Sequence, residues 1–194
     1  MNSGVQNIVI SLGAMQIARR IPFDDPVVLN YVRLGYITSQ VIILGAYFFV
    51  SYKVKQKNDQ TVLKYAISPV YSLISPSNPA QSSDSGGLVT TTVRDYDLSE
   101  TSKLLRAAYF GIAMMGFFHI YMNYTQPLFI QALMGLKNLY DAKPVAIHIF
   151  GKKAEGDLKR PFKAASMFGP AGGPQTDAAS IAEAEKKVGS KKEE

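Results

Sequence analysis

The sequence predicts an all-α membrane protein: a small bundle of three, or alternatively two, transmembrane helices plus an interfacial amphipathic helix, with small β-hairpin elements in polar regions and a disordered carboxy-terminal tail. Three observations carry this prediction. The stretch from Ala107 to Leu136 contains no Lys, Arg, Asp or Glu, and a spanning helix needs only about 20 largely apolar residues. The stretch from Leu34 to Tyr52 is likewise free of formal charge and just long enough to span. The mean hydropathy is only +0.02, because apolar segments before Leu136 are averaged with a polar tail rich in Lys, Ala and Gly. Two buried core helices of a soluble protein are the alternative, but the rest of the chain offers little apolar surface to cover them.

Taken in order, the first element is the apolar run Val5–Ala18, interrupted only by Gln6, Asn7, Ser11 and Gln16. Nothing basic precedes it, and Arg19 and Arg20 follow, so it reads as a retained membrane segment, a helix over about 5–20, rather than a signal peptide. It is short for a full span, and a helix lying on the membrane surface is the other reading. Two prolines then bracket Asp24 and Asp25, either of which can cap the second helix, 27–52. That helix ends in the basic cluster Lys53, Lys55 and Lys57.

A polar connection, 53–97, follows. Thr61–Ile67 and Leu88–Val93 are β-prone and predict a small hairpin, with the Pro-, Ser- and Gly-rich linker Ser75–Gly87 at its tip. Asp97–Glu100 has the form of a capping box, which predicts a third helix over 98–124, stopped by Gln126 and Pro127. An amphipathic segment over 128–139 can lie in the interface, with Lys137 and Tyr140 at the headgroups. Residues 1–139 form the membrane domain and 140–194 a basic, partly disordered cytosolic tail, with a short strand expected at Val145–Phe150 and a short helix at Asp177–Val188.

Composition excludes several chemistries. The absence of cysteine removes disulfides, thiolate nucleophiles and Cys-bound metals. His119 and His148 are the only imidazoles, too few for a multi-histidine metal site. Gly169, Gly172 and Gly173 follow no strand and precede no GK[ST], so no phosphate loop is present. Adjacent carboxylates such as Asp24 with Asp25, or Asp95 with Asp97, sit at helix starts, where capping is their usual work. No enzyme activity, no cofactor, no metal and no DNA partner is expected.

Four stretches together resemble one family: MQIARRI from Met15, TTVRDYDL from Thr91, GIAMMGFFHIYMNYTQPLFIQ from Gly111 and GDLKRPFKA from Gly156. They resemble the fungal endoplasmic-reticulum family of inorganic phosphate transport protein eighty-eight, also known as the third component of the SND (SRP-independent) targeting pathway. The resemblance runs from Met15 to about Ala165 and leaves out the Ser75–Gly87 linker and the far tail. It implies a multi-pass protein of the reticulum membrane that assists targeting and insertion of client membrane proteins at the translocation channel. The implied partners are the protein-conducting channel, other SND components and client transmembrane segments. An association with phosphate uptake, as an accessory factor or subunit, is the alternative it carries.

Polar side chains at membrane depth are the candidate site. Arg33, Tyr36 and Gln40 share a face of the second helix, with Asn30 near its start, and His119, Asn123 and Gln126 are spaced to share a face of the third. Exposing Arg to lipid costs about 2.5–3.5 kcal/mol on insertion scales, so these faces should turn to protein or water. They form either interhelical hydrogen bonds or a hydrated groove open toward the cytosol. In the tail, Lys152, Lys153, Lys159, Arg160 and Lys163 form a basic cluster interleaved with Phe162 and Phe168, suited to anionic lipid or ribosomal RNA or else simply solvated. Lys191 and Lys192 match a dilysine retrieval signal read from the cytosol. Three spans then give a lumenal amino terminus, a cytosolic tail and, awkwardly, lumenal Lys53–Lys57; a two-span hairpin with a cytosolic loop is the alternative.

Overall fold

The computed structural model describes residues 3–66, 88–162 and 181–182. Helices dominate: α1 is Ser3–Ala18, α2 Pro26–Lys57, α3 Val93–Ile120, α4 Gln126–Asp141 and α5 Lys143–His148. Strands β1, Val62–Ala66, and β2, Leu88–Thr92, pair antiparallel, with Val62 opposite Thr92 and Tyr65 opposite Val89. A 3-10 turn, Gly156–Leu158, follows. The linker Ser75–Gly87 lies outside the described residues, and of the expected Asp177–Val188 helix only Ile181 and Ala182 are described, as helical.

The chain divides into a helical unit, Met1–Lys53 with Glu100–Gly151, and a polar unit, Val54–Ser99 with Lys152–Glu194. In the helical unit α2 is the one helix, among the described residues, long and apolar enough to cross a membrane. Asp25 caps it: the Val27 N–H donates to Asp25 Oδ1 at 2.8 Å, and Pro26 takes the first helical position, where its missing N–H costs nothing. At its other end Asn58 adopts the left-handed conformation that stops a helix (φ 46°).

Much of the surface that α2 exposes is apolar. Leu34, Ile37, Val41, Phe48 and Phe49 are exposed, while Ser39 and Gln40 are buried with Tyr36, Ile43, Tyr47 and Val50. The Ser39 hydroxyl donates back to the Tyr36 carbonyl at 2.7 Å, which satisfies a polar group without exposing it. A soluble helix hides apolar surface; this one presents it.

The uncharged stretch Ala107–Leu136 is not one helix. Asn123 takes a left-handed conformation (φ 57°) after α3 ends, and Thr125 and Pro127 start α4 in the other direction. Asparagine tolerates that region better than other side chains, which is why the reversal falls there. Tyr36, Met115 and Leu128, one from each of α2, α3 and α4, form a buried cluster, and α1 packs against α4. Glycine permits the closest approaches: a Cβ on Gly135 would stand 2.9 Å from Ile43 Cδ1, and one on Gly111 2.9 Å from Gln131 Nε2.

Two expectations are corrected. Residues 143–148 are helical rather than a strand, since Pro144 fixes a first-turn dihedral and Ala142, Pro144, Val145 and Ala146 are buried together, where packing overrides β-propensity. The third helix begins at Val93 rather than Leu98, because Thr92 Oγ1 accepts the Asp95 N–H at 3.1 Å and caps it one turn earlier.

Candidate functional site

Arg33 and His119, 86 residues apart in sequence, meet in the helical unit. The Arg33 Nε–H donates to His119 Nε2 at 3.0 Å and its Nη1 donates to Asn30 Oδ1 at 3.2 Å. His119 Nε2 must then be unprotonated, and its Nδ1–H is left to donate to the Tyr124 carbonyl at 3.2 Å. The imidazole thus joins α2 to the turn after α3 through both ring nitrogens. A guanidinium on an apolar helix is given two acceptors, as such a charge requires.

Tyr36 and Gln40 lie further along α2 and are buried, and the Tyr36 hydroxyl has no hydrogen-bond partner among the described residues. Asn123 and Gln126 do not share a helical face with His119: α3 ends at Ile120, Asn123 is exposed in the turn, and Gln126 opens α4. The structure therefore brings Arg33 and His119 together with Asn30, and leaves Asn123 and Gln126 exposed in the turn and at the first residue of α4.

The polar unit contains a second constellation. Arg160 forms a two-pronged ion pair with Asp97, Nε to Oδ1 and Nη2 to Oδ2, both at 2.6 Å. The Phe162 N–H donates to the Tyr96 hydroxyl at 2.7 Å. The Tyr96 ring stands edge-on to Tyr65 at 5.9 Å and to Phe162 at 5.4 Å, the geometry that ring quadrupoles favour. The Arg160–Pro161 peptide is cis. Nearby, the Thr61 hydroxyl and N–H donate to Asp59 Oδ1 at 2.7 and 3.1 Å, and the hydroxyl bond is the main cause holding that carboxyl below its ordinary range.

Arg160 is thus withdrawn from the expected basic cluster: its charge is committed to Asp97 in a site where Asp97 is 1% exposed. Lys152, Lys153 and Lys159 remain exposed, while Lys163, Phe168, Lys191 and Lys192 lie outside the described residues. The sequence predicts a helix cap at Asp97 rather than a pairing with Arg160 and does not single out Tyr96, although RDYDL, which contains both, and LKRPF carry charges that complement each other.

Comparison with known proteins is consistent across the chain. The family described as Phosphate transport (Pho88) matches residues 1–192. A Saccharomyces cerevisiae protein named SRP-independent targeting protein 3 is 45% identical over 188 residues, 96% of this chain and 95% of its own length. A Schizosaccharomyces pombe protein named SRP-independent targeting protein 3 homolog is 35% identical, over 95% of this chain and 91% of its own. An uncharacterised protein of the same yeast is 40% identical, over 87% and 80%. No solved structure matches. On the match to nearly its whole length and on these identities, the chain belongs to the phosphate transport (Pho88) family, which the sequence strings had pointed to.

Proposed function

We propose that the protein is a non-enzymatic, multi-pass protein of the endoplasmic-reticulum membrane that assists SRP-independent targeting and insertion of client membrane proteins at the translocation channel. The observation that carries this reading is the 45% identity, over 96% of the chain, to a protein named for SRP-independent targeting. The large apolar side chains that α2 exposes, Leu34, Ile37, Val41, Phe48 and Phe49, support a membrane location, because lipid accepts such surface without cost. Arg33, His119, Tyr36 and Gln40 form the polar lining against which a client's hydrophilic flank passes, with Asn123 and Gln126 at its rim. Lys152, Lys153 and Lys159, joined by Lys163, meet anionic lipid or ribosomal RNA.

A second reading, an accessory role in phosphate transport, is favoured by the family's description alone. A solitary carrier normally encloses a midplane site between repeated helical halves, and the sequence has no internal repeat. Membranes lacking the protein should insert SRP-independent clients poorly, and adding back the intact chain should restore insertion. Liposomes containing the protein alone should pass phosphate no faster than empty ones. Normal insertion without the protein, together with accelerated phosphate flux, would transfer the reading to transport.

A further inference from the structure

The polar unit is assembled from two pieces of chain that are distant in sequence, the connection after α2 through the start of α3 and the segment that begins at Lys152. Three contacts lock them: the paired 2.6 Å bonds of Arg160 to Asp97, the Phe162 N–H on the Tyr96 hydroxyl, and the Tyr65–Tyr96–Phe162 ring contacts. This assembly belongs in water. Lys57, Asn58, Gln60, Lys64, Glu155 and Lys159 are exposed on it, and a sheet of two strands has open edges whose backbone groups lipid cannot satisfy.

A compact aqueous body cannot hold pieces from both sides of a bilayer. We infer that the connection 54–99 and the segment from Lys152 onward lie on the same side of the membrane, the cytosolic side, so that the chain between them enters and leaves through one face. The intervening helices suit such a return. From Glu100 to Ile120, α3 covers about 31 Å at 1.5 Å per residue, and the 16 residues of α4 cover about 24 Å. Gly111 of α3 faces Gln131 of α4, and Met115 packs with Leu128, so α4 runs back along α3 from the turn at Asn123.

Charge selects the side. Lys55, Lys57, Lys64 and Arg94 on the connection add to Lys152, Lys153 and Lys159, against Arg19 and Arg20 before α2; the excess of Lys and Arg marks the cytosolic face. The sequence-derived topology, in which the third helix separates loop from tail, is replaced by one in which both are together. This inference rests on the membrane reading above but not on the targeting role.

The chain has no native cysteine, so single cysteines report cleanly. Gln60→Cys and Glu155→Cys, both at exposed positions, are expressed separately in the full chain, and sealed microsomes are treated with a membrane-impermeant polyethylene-glycol maleimide. Both should be modified to the same extent without detergent. Modification of one in sealed vesicles and of the other only after detergent would overturn the shared side. Modification of both only after detergent would overturn the cytosolic assignment. Alkaline carbonate extraction of the same vesicles separates the premises: a chain released to the supernatant sinks the membrane reading itself, whereas a retained chain with unequal labelling sinks this topology alone.

Discussion

Asp97 and Arg160 stand 63 residues apart, and their ion pair joins two distant pieces of chain. Burying one carboxylate without its partner is costly, so the pair acts as an all-or-none link between connection and tail. Asp97→Ala should destabilise the polar unit by about 3–5 kcal/mol, the usual result of leaving a buried charge uncompensated. Limited proteolysis of the detergent-solubilised chain should then cut near Lys159 at a protease level that spares the unaltered protein. Tyr96→Phe keeps the ring contacts but removes the hydroxyl that accepts the Phe162 N–H; a loss of about 0.5–1.5 kcal/mol is expected in the same assay. Asp59 is a gentler case. Its depressed pKa makes its contribution fully present above the unfolded carboxylate pKa and lost as pH falls through the lower folded one, and because the group is largely solvated the effect is small. Thr61→Ala removes the hydroxyl but keeps the backbone N–H, so it should weaken that acid dependence, measurable as a flatter acid limb in the same proteolysis.

At the scale of elements, α2 was legible almost end to end, because an uncharged run, an Asp–Pro start and a basic finish are all local signals. The hairpin strands were legible for the same reason, as runs of β-prone residues. What escaped was decided by partners far along the chain. His119, Asn123 and Gln126 have helical spacing, but the spacing is void once Asn123 turns left-handed. Val145–Phe150 has β-prone composition, but burial beside Pro144 makes it helical as far as His148. Gly135 carried no recognisable motif, and only packing shows that it lets α4 approach Ile43 of α2. Gly135→Ala should be tolerated, since the Ile43 terminal methyl can swing aside. Gly135→Leu should overpack the contact and cost about 1–3 kcal/mol, seen as a lower midpoint of thermal aggregation in detergent. A double cycle of Arg33→Leu and His119→Leu should give a coupling of about 0.6 kcal/mol if the pair is only interhelical glue; a larger loss of client insertion than of stability points to a working polar surface.

For the molecule as a whole, the ends of α2 take on different tasks. Arg33 and Lys57 are separated by about 36 Å along the helix, so the polar pair with His119 and the basic finish of α2 lie at opposite ends of that helix. Lys152, Lys153 and Lys159 are exposed, and with Arg160 committed to Asp97 they are the free cations of that segment among the described residues. Changing these three to Gln should leave the Asp97–Arg160 link and the helices untouched while removing attraction to phosphate. For an anionic membrane the loss should approach about 1 kcal/mol per lysine near the surface, roughly a hundredfold for three, and should shrink as salt rises and the Debye length falls below about 8 Å. Cosedimentation of the full chain in detergent with ribosomes, and separately of reconstituted vesicles with anionic liposomes, assigns the partner by which of the two is lost. Equal binding of the unaltered and the substituted chain to both, at low salt, would show the lysines to be solvated surface, leaving delivery to the helical unit alone.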